Sequence, residues 1–82
     1  MNQISNAAET AELSSVFNLT TREVEILKRL AQGNTDREIA NLLGLSEKTI
    51  HHHVEHILLK LRAKNRTHAV VKGLQLNVVQ LQ

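Results

Sequence analysis

The sequence predicts an all-α fold, a compact four-helix domain, and three observations carry that expectation. From Leu19 onward, apolar residues recur every three to four positions, the spacing of one helix face, while the strict alternation of a half-buried strand is rare. Helix-start signals repeat along the chain: Thr20 with Glu23, Thr35 with Glu38, and Ser46 ahead of a long apolar stripe. Proline is absent, so no helix is interrupted by its ring.

Residues 1–17 are polar, rich in Asn, Ala, Ser, Thr and Glu, and read as a linker or flexible N-terminal tail with a short helical stretch near residues 7–13. The folded domain is expected over residues 18–82. Its first helix opens with Thr20-Thr21-Arg22-Glu23, in which the Thr20 hydroxyl accepts from the Glu23 amide and the Glu23 carboxylate reaches back. Leu19 stands where a hydrophobic staple meets Val24. This helix runs to about Gln32, with Val24, Leu27, Leu30 and Ala31 on one face, and Gly33 follows, free to take positive φ.

The same grammar repeats. Thr35-Asp36-Arg37-Glu38 starts a second, short helix that buries Ile39, Ala40 and Leu43. Gly44 permits a sharp turn, Leu45 plugs it, and Ser46 caps the third helix. That helix spans about Glu47 to Arg62, roughly 24 Å at 1.5 Å per residue. Its stripe of Ile50, Val54, Ile57, Leu58 and Leu61 keeps a helical period. After an Ala63-Lys64 connector, a fourth helix starts at Asn65 or Arg66, buries Val70 and Leu74, and ends near Asn77, a residue suited to a left-handed terminator. The remaining Val78 to Gln82 either pack or fray.

Composition removes several function classes. The 82 residues suffice for one domain with a modest core. Phe17 is the single aromatic residue, so stacking of unpaired bases on aromatic rings is not available. There is no Cys, which excludes disulfides and thiolate zinc sites. No apolar run approaches the ~20 residues of a membrane span, and the first residues lack a signal peptide's basic start and apolar block. A cytoplasmic protein without membrane partners is expected. The net charge is +2, but all ten Lys and Arg fall within residues 20–82, whereas Glu9 and Glu12 precede them. The folded part is therefore the basic part, a modest field that suits a polyanion.

Two helices joined by a tight Gly turn form a helix-turn-helix unit, here spanning about residues 34–53. In such a unit the second helix enters the major groove of duplex DNA. Its candidate here is residues 46–62. The face opposite its apolar stripe carries Lys48, His51, His52, Glu55 and His56, a continuous strip that nominates them as base-reading residues; an ordinary solvated face has the same pattern. Candidate phosphate contacts, by position near helix starts, are Thr35, Arg37, Ser46, Thr49, Lys64 and Arg66. Thr35 and Ser46 also read as caps, and the rest as plain surface charge or polarity. Lys60 and Arg62 read as solvated charges near a helix C-terminus. His52 and His56 have the spacing of a metal pair but no third ligand, so neither metal nor other cofactor is expected. No nucleophile–base pair or paired carboxylates stand out, and no enzymatic activity is expected.

Several motifs, in order and without a gap over residues 19–78, resemble one family. They are Leu19-Thr20-Thr21-Arg22-Glu23-Val24-Glu25-Ile26-Leu27, Ala31-Gln32-Gly33, Glu38-Ile39-Ala40, Leu45-Ser46-Glu47-Lys48-Thr49-Ile50, His53-Val54, Ile57-Leu58, Lys60-Leu61 and Asn65-Arg66-Thr67-His68-Ala69-Val70. Together they look like the DNA-binding domain of LuxR-type (LuxR, FixJ, NarL) bacterial transcriptional regulators. The resemblance implies a four-helix domain that binds duplex promoter DNA, usually as a homodimer, and often contacts RNA polymerase. It implies either the output domain of a response regulator or ligand-sensing regulator, or a single-domain regulator that starts at Met1. The matching base-reading positions are His51, His52 and Glu55. The chain departs from the family pattern at His51, usually Lys or Arg, at Glu55, often basic or an amide, at Gly73, usually Ala, and at Asn77, usually Gly. The family pairs through the fourth helix, about residues 66–76, which nominates His68, Val71, Lys72, Gln75 and Leu76 as dimer contacts, with Val71 and Leu76 pointing away from Val70 and Leu74. Two alternatives remain: a sigma-factor promoter-reading region, disfavoured by the fourth helix after Asn65-Arg66-Thr67, and a helical protein-interaction module that has lost DNA binding.

Overall fold

Four helices form among residues 18–80, the part of the chain that the computed structural model describes: α1 (Thr21–Ala31), α2 (Asp36–Leu43), α3 (Glu47–Leu61) and α4 (Arg66–Gln75). No strand occurs among the described residues. The expected tail over residues 1–17, with its helical stretch, lies outside them. Each helix starts where a side chain satisfies an orphan amide. Thr20 Oγ1 accepts from the Glu23 amide at 3.0 Å while Glu23 Oε1 accepts from the Thr20 amide at 2.9 Å. Thr35 and Glu38 repeat this exchange at 3.2 and 2.8 Å. Ser46 Oγ accepts from the Thr49 amide at 3.1 Å, and Asn65 Oδ1 from the His68 amide at 2.8 Å. Asn65 is thus the cap and Arg66 the first helical residue of α4.

The turns follow from backbone freedom. Gly44, at φ 68°, lets the Leu45 amide return to the Ala40 carbonyl at 2.9 Å, which sets the angle between α2 and α3. At the other end of α3, helical bonding stops one residue before the expected Arg62. Arg62 takes the left-handed conformation itself, at φ 53° and ψ 45°, without glycine's freedom from Cβ crowding. Lys72 closes this end: its Nζ donates to the Leu61 and Arg62 carbonyls at 2.8 and 3.1 Å.

The core is centred on α3. Ile50, Val54, Ile57 and Leu61 are buried, and α3 packs against α1, α2 and α4. Ile39 and Ala40 of α2 meet it as expected. In α1 the expected face meets the core but is wider than expected: Ile26 joins Leu27 in complete burial, and Val24, Leu30 and Ala31 lie partly buried around them. The cause is that α1 touches both α3 and α4, so its apolar face is broader than a single stripe.

In α4 the expectation of Val70 and Leu74 as the buried pair is also corrected. The deepest residues are Ala69 and Gly73, with Val70, Leu74 and Leu76 half-buried beside them. Small residues let the α4 backbone approach the core closely. A Cβ on Gly73 would stand 3.0 Å from Val79 Cγ2 and 3.1 Å from Leu27 Cδ2, so glycine's missing methyl group makes room for the segment after α4. That segment packs: Asn77 turns it at φ 59°, the Val78 and Val79 amides donate to the Gly73 carbonyl at 2.9 and 3.2 Å, and both valines are buried. Leu76, nominated for a dimer contact because it had no partner in the chain, packs against this same core.

Arg62→Gly is expected to stabilise the domain by about 1 kcal/mol, because glycine removes the left-handed penalty and keeps the carbonyl that Lys72 binds. Urea unfolding of both proteins measures it; an unchanged or lowered midpoint contradicts the strain at Arg62.

Candidate nucleic-acid interface

The apolar stripe of α3 faces inward, so helix geometry forces its other side outward. Lys48, His51, His52, Glu55 and His56 are all exposed, as the sequence pattern predicts. Leu59 extends the strip by one more turn and is 76% exposed, although sequence reasoning passed over it. Its spacing, four residues after Glu55 and three after His56, was the available signal.

Around the strip lie the helix starts. The Thr35 and Ser46 hydroxyls cap α2 and α3, and Ser46 Oγ also lies 2.9 Å from Thr49 Oγ1. Arg37, Lys48 and Lys64 are exposed. Arg66 is different. Both ends of its guanidinium donate to the Asp36 carboxylate, Nη2 to Oδ2 at 2.9 Å and Nη1 to Oδ1. His51 Nδ1 lies 3.1 Å from the same Oδ2. The structure thereby gathers the first residue of α2, the fifth residue of α3 and the first residue of α4 around one carboxylate. Arg66, expected among phosphate contacts, is engaged inside the domain by Asp36, a residue to which sequence reasoning gave no role beyond the start of α2.

A second ion pair ties α1 to α3. Lys60 Nζ donates to Glu23 Oε1 at 2.8 Å, and Glu23 is the one buried charged residue among those described. Lys60, read as a solvated charge, is therefore a partner of the α1 capping carboxylate. Burial alone pushes the Glu23 pKa up, but the Lys60 ammonium and the Thr20 amide outweigh it and hold the carboxyl below its usual value, with a smaller contribution from His53. The Arg66 fork lowers the Asp36 pKa against a smaller opposing effect of burial, with the charges of Arg66 and His51 adding to the depression.

The five α4 residues nominated for pairing divide in two. Val71, 42% exposed, and Gln75 face outward. Lys72 binds the end of α3, Leu76 packs on the core, and His68 Nδ1 accepts from the Lys64 amide at 2.9 Å. Among the described residues, no group of three or more His, Cys, Asp or Glu is arranged to hold a metal ion. No described helix is long and apolar enough to cross a membrane.

A short α2, a glycine turn and a longer α3 whose inner stripe is anchored and whose outer strip is bare define a helix-turn-helix domain. Residues 17–72 match the luxR family of bacterial regulatory proteins, and the chain belongs to that family. It is 44% identical over 61 residues to the transcriptional activator protein SolR of Ralstonia solanacearum, covering 74% of this chain and 26% of SolR. It is 39% identical over 79 residues to the response regulator protein VraR of Staphylococcus aureus, covering 96% of this chain and 35% of VraR. The chain thus spans roughly a third or less of these relatives.

Both depressed carboxyls have a folded-state pKa below the unfolded one. Their stabilisation is full above the ordinary carboxylate range and is lost as pH falls through the lower folded-state values. Urea midpoints should therefore fall on acidification below about pH 5, and the fall should be shallower in Glu23→Gln and Asp36→Asn. Parallel pH profiles for all three proteins would show that neither pair contributes.

Proposed function

We propose that the chain is the DNA-binding module of a bacterial transcription regulator, and that it reads duplex promoter DNA with α3 in the major groove. The observation that carries this reading is the division of α3 into a fully anchored stripe and a wholly exposed strip, in a family of regulatory proteins. An anchored helix presents its side chains to base edges in a fixed frame, which base-specific hydrogen bonding needs. Lys48, His51, His52, Glu55 and His56 are the base-facing set, with Glu55 suited to accept from cytosine N4. Phosphates are held by the starts of α2 and α3 through Thr35, Ser46 and Thr49, and by Arg37 and Lys64. Arg66 leaves this set, because its guanidinium is on Asp36.

The names of SolR, a transcriptional activator, and VraR, a response regulator, support a role as the output part of a longer regulator, working in the cytoplasm, where bacterial promoters are. RNA polymerase is the second partner that the family resemblance suggests. Pairing of two copies rests on α4, where Val71 and Gln75 are exposed, His68 and Lys72 border them, and a two-fold axis would bring the same face of each copy together. A two-fold pair of this kind reads an inverted repeat with half-sites about one helical turn apart.

Binding to genomic fragments, followed by fluorescence anisotropy on the selected site, tests the groove assignment. Lys48→Ala and His52→Ala should each cost about 1–3 kcal/mol at one base pair and relax specificity there. Unchanged affinity and specificity in both variants contradicts it. For pairing, Val71→Arg should leave folding and single half-site affinity intact and abolish the preference for a paired site. Retained cooperative binding to the paired site would exclude α4 as the contact.

A further inference from the structure

The cluster of Asp36, Arg66 and His51 is unexpected on a surface that attracts phosphate. Asp36 is the first residue of α2, and the start of this helix is one of the phosphate-contacting sites in the proposed binding mode. An unpaired carboxylate there repels phosphate. A helix start favours a negative charge, but any polar cap serves that purpose, and Thr35 already provides one. What Asp36 adds is the capture of cations. Its side chain is 10% exposed and takes both ends of the Arg66 fork, while its Oδ2 also lies within ion-pair distance of His51 Nδ1. Arg66 and His51 remain 42% and 58% exposed in their side chains, so neither is buried out of reach of solvent or a polyanion. They are restrained by charge pairing and not by enclosure.

We propose that Asp36 is a positioning residue that sets the affinity of the DNA face: it withdraws Arg66 from general phosphate attraction, restrains His51, and so lowers affinity for duplex of any sequence. This rests on the DNA-binding reading above. Phosphate contacts strengthen binding to every sequence alike, whereas base contacts discriminate. Holding Arg66 on an internal carboxylate therefore removes a sequence-independent attraction. Asp36 touches no base in this account; it acts through the two residues it holds. The arrangement also limits how far the imidazole of His51 swings, because the carboxylate that restrains it is itself fixed by a two-point fork from α4.

The number of phosphates neutralised is read from the salt dependence of binding, and a merely structural role of the cluster does not move that slope. The test uses the whole chain and a short random-sequence duplex between about 50 and 200 mM salt, with circular dichroism to verify folding. Asp36→Asn should steepen the logarithmic salt slope by about one and tighten random-duplex binding roughly three- to tenfold at low salt. Binding to a selected target should tighten by a similar factor, so the preference for target over random duplex should stay unchanged. Glu47→Gln changes the net charge equally but frees no paired cation, and it should move the slope much less. Asp36→Asn with Arg66→Met restores the original net charge without the pair and should return the slope to that of the unmodified chain. This double variant leaves no carboxylate unpaired, so it carries the test if Asp36→Asn alone does not fold. An unchanged slope in Asp36→Asn, or a double variant shallower than the unmodified chain by a full contact, overturns the proposal. If the unmodified chain and all variants fail to bind any duplex at low salt, the DNA-binding reading falls, and this proposal falls with it.

Discussion

Everything in this domain depends on the burial of one face of α3. Ile50, Val54, Ile57 and Leu61 remove that face from water, and each of the other three helices packs against it. Burial of one such side chain contributes roughly 1.5–3 kcal/mol, which makes this stripe the largest coherent block of hydrophobic stabilisation in a small core. Because the four residues share a helical period, fixing them also fixes the azimuth of the helix. Its outer strip is then presented in one orientation only. The same contacts that hold the fold together aim the candidate recognition surface.

Two ion pairs refine that placement from opposite sides. Glu23 caps α1 and binds Lys60 near the end of α3, while Asp36 opens α2 and binds Arg66 at the start of α4. Each joins a helix terminus to an element distant in sequence. Lys72 adds a third tie by closing the carbonyl end of α3 from α4. Such links resist sliding of the helices, which apolar packing alone restrains less directionally. Asp36 differs from Glu23 in standing beside the exposed strip, so its pairing affects both the fold and the charge on the candidate recognition surface.

Much of this was legible in the sequence. The caps at Thr20, Thr35 and Ser46, the turn at Gly44 and the outward strip of α3 follow from local chemistry and period, and they occur where those signals place them. What escaped is what periodicity does not encode, namely which element meets which. Ile26 is buried because α1 serves two neighbours, and Ala69 and Gly73 lie deepest because the Val78-Val79 segment returns over α4. The Glu23–Lys60 and Asp36–Arg66 pairs span 37 and 30 residues. Sequence reasoning therefore left Lys60 in solvent and Arg66 on phosphate. In α4, Lys72 and Leu76 look free on a helical wheel but have partners that the wheel does not show. The family match over residues 17–72 agrees with the local signals and is silent on these particular pairings.

In the proposed binding mode the outer strip of α3 is the surface that meets DNA. Amide chemical-shift mapping of the isotope-labelled chain, titrated with its selected duplex, tests this most directly. The largest shifts should cluster at Lys48, His51, His52, Glu55 and His56 and at the starts of α2 and α3, with the α1 surface around Arg22 and Glu25 little changed. Shifts concentrated on α1 or on the outer face of α4, with the α3 strip unmoved, would contradict it.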